Sequence, residues 1–156
     1  MRLSKTLSIV GITVAITVAV ILTALMRQPH PQLCVTNQRT GEDYYCVKAE
    51  DGLSATLSWI HSIEHEPWTE TYVVGGSELY LEEITLRGYG AGVPADPGGV
   101  TSIEDGVIHV RQIHRPMPQV RWIHSHHTKH SLRVGQHLIR SEDIEHHAFV
   151  ELSVKE

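Results

Sequence analysis

Three groups of residues carry side chains able to do chemistry. The first is the run from Trp59 to Glu70, which holds His61, Ser62, Glu64 and Glu70 around Pro67. An imidazole with carboxylates across a turn can form a hydrogen-bonded polar site or a proton relay. If His61 ends a strand in phase with Leu57 and Trp59, it points inward, and Ser62 points the other way. The two then cannot form a nucleophile–base pair. Glu64 or Glu70 is expected to reach back to His61. Two readings follow: a hydrogen-bonded core histidine at a strand corner, or a polar binding site at the mouth of the domain.

The second group is the loop from Arg87 to Gly99, with Gly90, Gly92 and Pro94 near its centre. It is not a phosphate fingerprint, because no helix and no Gly-Lys-Ser/Thr follows it. It reads either as a long turn or as a backbone-rich loop that approaches a ligand above the His61 cluster. The third group is Trp122 to His130, with His124, His126, His127 and His130. On a strand, His124 and His126 share a face, His127 faces away, and His130 can return after a turn. That spacing suits a zinc- or copper-class ion held by His124, His126 and His130. Its alternative is a set of solvated histidines on strand edges; by that reading the chain has no cofactor.

The elements that position these groups are short strands. Period-two patterns run through 53–63, 68–74, 78–86, 107–114, 119–125, 131–134 and 148–154. Glycine and proline turns separate them, giving about eight strands with one phase shift at Ile84. Residues 141–147 suit one helical turn. The expected fold is all-β, an antiparallel β-sandwich or open barrel over residues 33–156.

Both cysteines fall at the start of this domain. A three-residue loop at Arg39-Thr40-Gly41 sets Gln38 against Glu42 and Cys34 against Cys46. Opposed cysteines outside the cytoplasm favour a disulfide. Metal ligation lacks a close Cys-x-x-Cys pair, and two free buried thiols are the remaining alternative.

Ahead of the domain stands an uncharged run, residues 6–26. As a helix it spans about 31 Å, enough to cross a bilayer core. A cleaved signal peptide has a shorter apolar region and a small-x-small site, which Ala24-Leu25-Met26-Arg27 does not offer. Arg2 and Lys5 precede the run, so the positive-inside rule puts residues 1–5 in the cytoplasm. Residues 27–32 form a linker and the rest lies outside. The expected location is the cell membrane, as a single-pass anchored ectodomain.

That ectodomain carries 10 Lys and Arg against 18 Asp and Glu, a formal charge of −8. Of the 12 histidines, 11 lie in it and His30 in the linker, so full protonation would bring the domain from −8 to +3. With a net charge of −5 and no basic face, the chain is not a nucleic-acid binder. No Gly-x-Ser-x-Gly or His-Glu-x-x-His motif is present, and the chain is not expected to be an enzyme.

Taken in order, His61-Ser62-x-Glu64, Pro67-Trp68-x-Glu70, Gly90-Ala-Gly-x-Pro94 and His130-Ser-Leu-x-Val-Gly135 resemble the prokaryotic domain-of-unknown-function family 1850. The likeness covers about residues 33–140. It implies a small secreted or membrane-anchored domain of no established activity, often encoded beside TAXI-class TRAP transporter subunits. It therefore implies an accessory role in solute transport, binding a protein partner or a small solute. The histidine-rich segment departs from the family, so nothing about it carries over. The alternative function is a histidine-rich metal-binding or pH-responsive protein.

Overall fold

The computed structural model describes residue 17, residues 30–88 and residues 98–156. The expected anchor at 6–26, the cytoplasmic residues 1–5 and the loop glycines Gly90 and Gly92 lie outside the described residues. No helix among the described residues is long and apolar enough to cross a membrane. Chain contacts divide the protein into Met1–His30 and Pro31–Glu156.

Among the described residues the second unit has eleven strands: β1 (Gln32–Asn37), β2 (Asp43–Lys48), β3 (Ser54–Ile60), β4 (Pro67–Gly75), β5 (Glu78–Leu86), β6 (Val100–Glu104), β7 (Val107–Met117), β8 (Gln119–Ile123), β9 (Ser131–Val134), β10 (His137–Ile139) and β11 (Phe149–Lys155). The helical turn expected at 141–147 is a short 3-10 turn, Ser141–Asp143. Every strand pairing is antiparallel. One sheet runs β2-β1-β11-β8 and the other β10-β9-β3-β4-β5-β7-β6. The two sheets remain separate, so the fold is all-β with two antiparallel sheets and is not a closed barrel.

Alternation builds the core. Leu33 and Val35 of β1, Val120 of β8 and Val150 and Leu152 of β11 supply one inner face. Ala55, Leu57, Trp68, Tyr72, Val74, Leu79, Leu81, Ile84, Leu86, Ile108, Val110, Leu132 and Val134 supply the other. The phase shift in β5 is a bulge. Leu79 and Leu81 are buried, the register slips between Leu81 and Glu83, and burial resumes at Ile84 and Leu86. One extra residue turns the following side chains to the opposite phase, so the core face is kept.

The first hairpin reaches its expected disulfide by a different route. Cys34 stands opposite Cys46, and the two are bonded. The loop, however, is one residue longer than expected. Asn37 N–H donates to Glu42 O, and Gly41 takes φ +75. A bulge at Tyr44, between the Thr36–Asp43 and Val35–Tyr45 pairs, restores the register.

Two strands carry no readable pattern in the sequence. β6 is exposed or half-exposed along its whole length and pairs only with β7. β10 has three residues. A strand that covers no core has no reason to alternate apolar with polar side chains.

Candidate functional site

β3 ends at Ile60, three residues before the end expected from its alternation. The chain turns through residues 61–66, closed by His61 N–H to Glu66 O at 2.8 Å and His65 N–H to His61 O at 2.9 Å. β4 then opens with Pro67, at the first strand position, where its missing N–H is tolerated. Trp59 and Trp68 are directly opposite partners across this hairpin.

A row of stacked rings results at this end of the large sheet. His130 lies one residue ahead of β9 and stacks on Trp59, centroids 5.8 Å apart and planes at 10°. Trp59 stacks on Trp68 at 5.7 Å, and Trp68 meets His61 at 5.8 Å. Glu70 shares the core-facing side of β4 with Trp68 and Tyr72. Its Oε1 accepts the Trp68 indole N–H at 3.2 Å, and its Oε2 accepts the Tyr72 hydroxyl. Burial and the Glu70 carboxylate push the Tyr72 phenol far above its ordinary value, so it stays a donor.

These residues enclose a cleft of about 340 Å³, lined by Trp59, His61, Ser62, Trp68, Glu70, Thr128 and His130. Hydrogen-bond partners assign the imidazole tautomers. His61 Nδ1 accepts the Glu64 main-chain N–H at 3.2 Å, so a neutral His61 carries its proton on Nε2. His130 Nδ1 lies 2.8 Å from Thr128 Oγ1 and 3.4 Å from Ser125 O. A carbonyl only accepts, so Nδ1 carries the proton and Nε2 is the acceptor. Burial pulls the His130 pKa below its ordinary value. The cleft therefore offers one imidazole donor and one imidazole acceptor.

The structure brings His61, Ser62 and Glu70 together, and adds His130 from the third sequence group. The expected side-chain pairing of His61 takes another form: Nδ1 meets the Glu64 main chain, while both Glu70 oxygens serve Trp68 and Tyr72. Ser62 lines the same cleft as His61, because the turn at 61–66 ends strand alternation. Thr128 and the two indole walls were not singled out from the sequence. Only the opposed Trp59 and Trp68, equidistant from the turn, gave a local signal. The joining of His130 to this group depends on the β3–β9 pairing, between segments far apart in sequence.

The expected triad His124, His126 and His130 does not converge. Strand β8 stops at Ile123, so His124 and His126 do not share a strand face. His124 is buried, and its Nε2–H donates to Ser141 O at 2.8 Å. His126 Nε2–H donates to Ile144 O at 2.9 Å. Two candidate ligand atoms are thus committed to carbonyls. Among the described residues, the one group of metal-type donor atoms that gathers closely is Cys34, Asp43 and Cys46, whose sulfurs are bonded to each other.

Instead the histidines form a ring-to-ring array. His124 lies 5.8 Å from His130 and 5.7 Å from His126. His146 lies 5.1 Å from His126, 4.9 Å from His127 and 3.8 Å from His147. Main-chain bonds from His124 N–H to Ala148 O and from His147 N–H to His124 O, both 2.8 Å, tie the two segments. Burial lowers the pKa of His124, and burial with neighbouring imidazoles lowers that of His146.

The family model described as Domain of unknown function (DUF1850) matches residues 55–140. Every residue lining the cleft falls inside that window; β1, β2 and β11 fall outside it. No curated protein and no solved structure matches the chain.

Proposed function

The chain belongs to the DUF1850 family, a domain of unknown function, and from that premise we propose that it is a solute-binding ectodomain. It is held at the membrane by residues 6–26 and serves a TAXI-class TRAP solute transporter as an accessory subunit. The observation that carries the binding reading is the cleft, where aromatic walls surround a few convergent polar groups. The Cys34–Cys46 disulfide supports a location outside the cytoplasm. Binding is favoured over hydrolysis because His61, the histidine next to Ser62 in sequence, spends its Nδ1 lone pair on a main-chain N–H.

Two measurements test this. Mild-detergent co-purification from native membrane should recover transporter subunits, and recovery of the chain alone would remove the accessory role. Tryptophan fluorescence of the full chain should change on titration with the transported solutes, and the change should vanish in Trp59→Leu.

A second reading, a pH-responsive surface, is supported by the contiguous array of His124, His126, His127, His130, His146 and His147. Protonated rings at these spacings repel, so acidification should loosen the turn that carries them. Protection factors at Ser125–His130, taken against the intrinsic exchange rate at each pH, that stay constant on acidification would dismiss it.

A further inference from the structure

We infer that the cleft is selective for an organic ammonium ion; this rests on the reading of the cleft as a solute site. The charge inventory comes first. Among the described residues that line the cleft, Glu70 is the one formally charged at neutral pH, and no lysine or arginine lines it. Exposed Glu66 closes the neighbouring turn, and exposed Lys129 precedes His130. Among the described lining residues the formal charge is therefore negative, carried by Glu70. Burial, which holds the His130 pKa down, delays the appearance of an opposing cation as the medium acidifies.

The carboxylate is also pre-positioned. Trp68 Nε1–H and Tyr72 O–H each take one Glu70 oxygen and fix its plane. An ionised carboxylate has about four acceptor sites, so capacity remains for a ligand N–H or a close ammonium charge. The walls are aromatic: Trp59, Trp68, His61 and His130. These rings stack on one another, so they serve as an enclosing apolar wall that suits a weakly hydrated organic cation, and Glu70 rather than a ring face is the partner of its charge. A bare metal ion is disfavoured, because His61, Glu70 and His130 do not bring three donor atoms together.

The test compares three isosteres on the full chain in detergent: choline, its neutral analogue 3,3-dimethylbutanol and the anion 3,3-dimethylbutyrate. Calorimetry and tryptophan fluorescence give the affinities. Choline should bind at least tenfold tighter than either isostere. Glu70→Gln should reduce that preference. Because Glu70→Gln disturbs two hydrogen bonds, the exposed Ser62 supplies a second pair: Ser62→Asp should raise choline affinity and Ser62→Lys should lower it, each several-fold. Equal or tighter binding of the alcohol or the butyrate, lost in Trp59→Leu, would overturn the cation assignment and leave the solute site standing. Indifference of choline binding to both Ser62 variants would likewise overturn it. Failure of all three probes to bind would overturn the assignment together with the solute-site reading.

Discussion

His130 stacks on Trp59 with the ring planes 10° apart. That contact joins two segments far apart in the chain and makes one cleft from two polar groups that look independent in the sequence. Trp59 in turn covers Trp68, whose indole N–H holds Glu70. The contacts tie the packing at this end of the sheet to the same few side chains that line the cleft.

Tyr72→Phe should test the support beneath the cleft. The phenol is buried and donates to the Glu70 carboxylate. Losing a hydrogen bond to a charged group should cost about 1.5–3 kcal/mol in urea unfolding. Adding Glu70→Gln should cost less than the sum of the two single changes, because the interacting pair is removed together.

Reduction of Cys34–Cys46 should destabilise the domain. The bridge spans a sequence separation of 12. Chain entropy for so short a loop gives about 3 kcal/mol. Cys34→Ala with Cys46→Ala should show this as a lower denaturant midpoint with a larger m, because the unbridged unfolded chain is less compact. Intact mass after alkylation without reductant should find no free thiol.

Stability should fall as the medium turns mildly acidic. His124 is buried among Trp122, His126, Glu145 and the Ser141 carbonyl, and its pKa in the folded state is lowered, mainly by burial. His130 is shifted the same way. The unfolded chain therefore binds protons more readily than the folded one. The contribution is complete above the unfolded value, about pH 6.5, and is lost as pH falls below it toward the folded values. Thermal melts should be level above that point and drop beneath it. His124→Gln, which keeps a donor for Ser141 O but does not titrate, should flatten the slope. A slope unchanged in this variant would assign the effect to other groups.

Gly99→Ala should damage the β6–β7 hairpin. Gly99 has φ +70, and an added Cβ would lie 2.3 Å from the Arg111 carbonyl oxygen. The left-handed conformation alone costs a non-glycine residue about 1–2 kcal/mol, and the clash with backbone adds to it. Hydrogen exchange at Val100–Glu104 should rise before the rest of the domain responds.

Much of the architecture was legible because burial writes itself into alternation. β5, β9 and β11 each have a face in the core, and their buried apolar residues recur at every second position on either side of the β5 bulge; β4 follows the same phase with Glu70 in place of one apolar residue. The break in phase at Ile84 marked the β5 bulge. β6 was not legible, since a strand exposed along its length leaves no pattern. The hairpin shows how a correct pairing can rest on the wrong turn: Cys34 meets Cys46 because the longer loop and the Tyr44 bulge offset one another.

By itself the sequence determined the strands with a buried face, the proximity of the two cysteines, the histidine wealth and the negative charge. These are local or additive properties, set by residue type and by spacing within a few positions. The tertiary structure alone decided that His130 belongs with His61 and Glu70, and that His124 and His126 give their Nε2–H groups to the carbonyls of Ser141 and Ile144. Both outcomes depend on which strands become neighbours and where β3 and β8 stop. A histidine's role is set by the atom facing each ring nitrogen. Here the decisive partners lie across the sheet or across a turn, beyond the reach of local spacing.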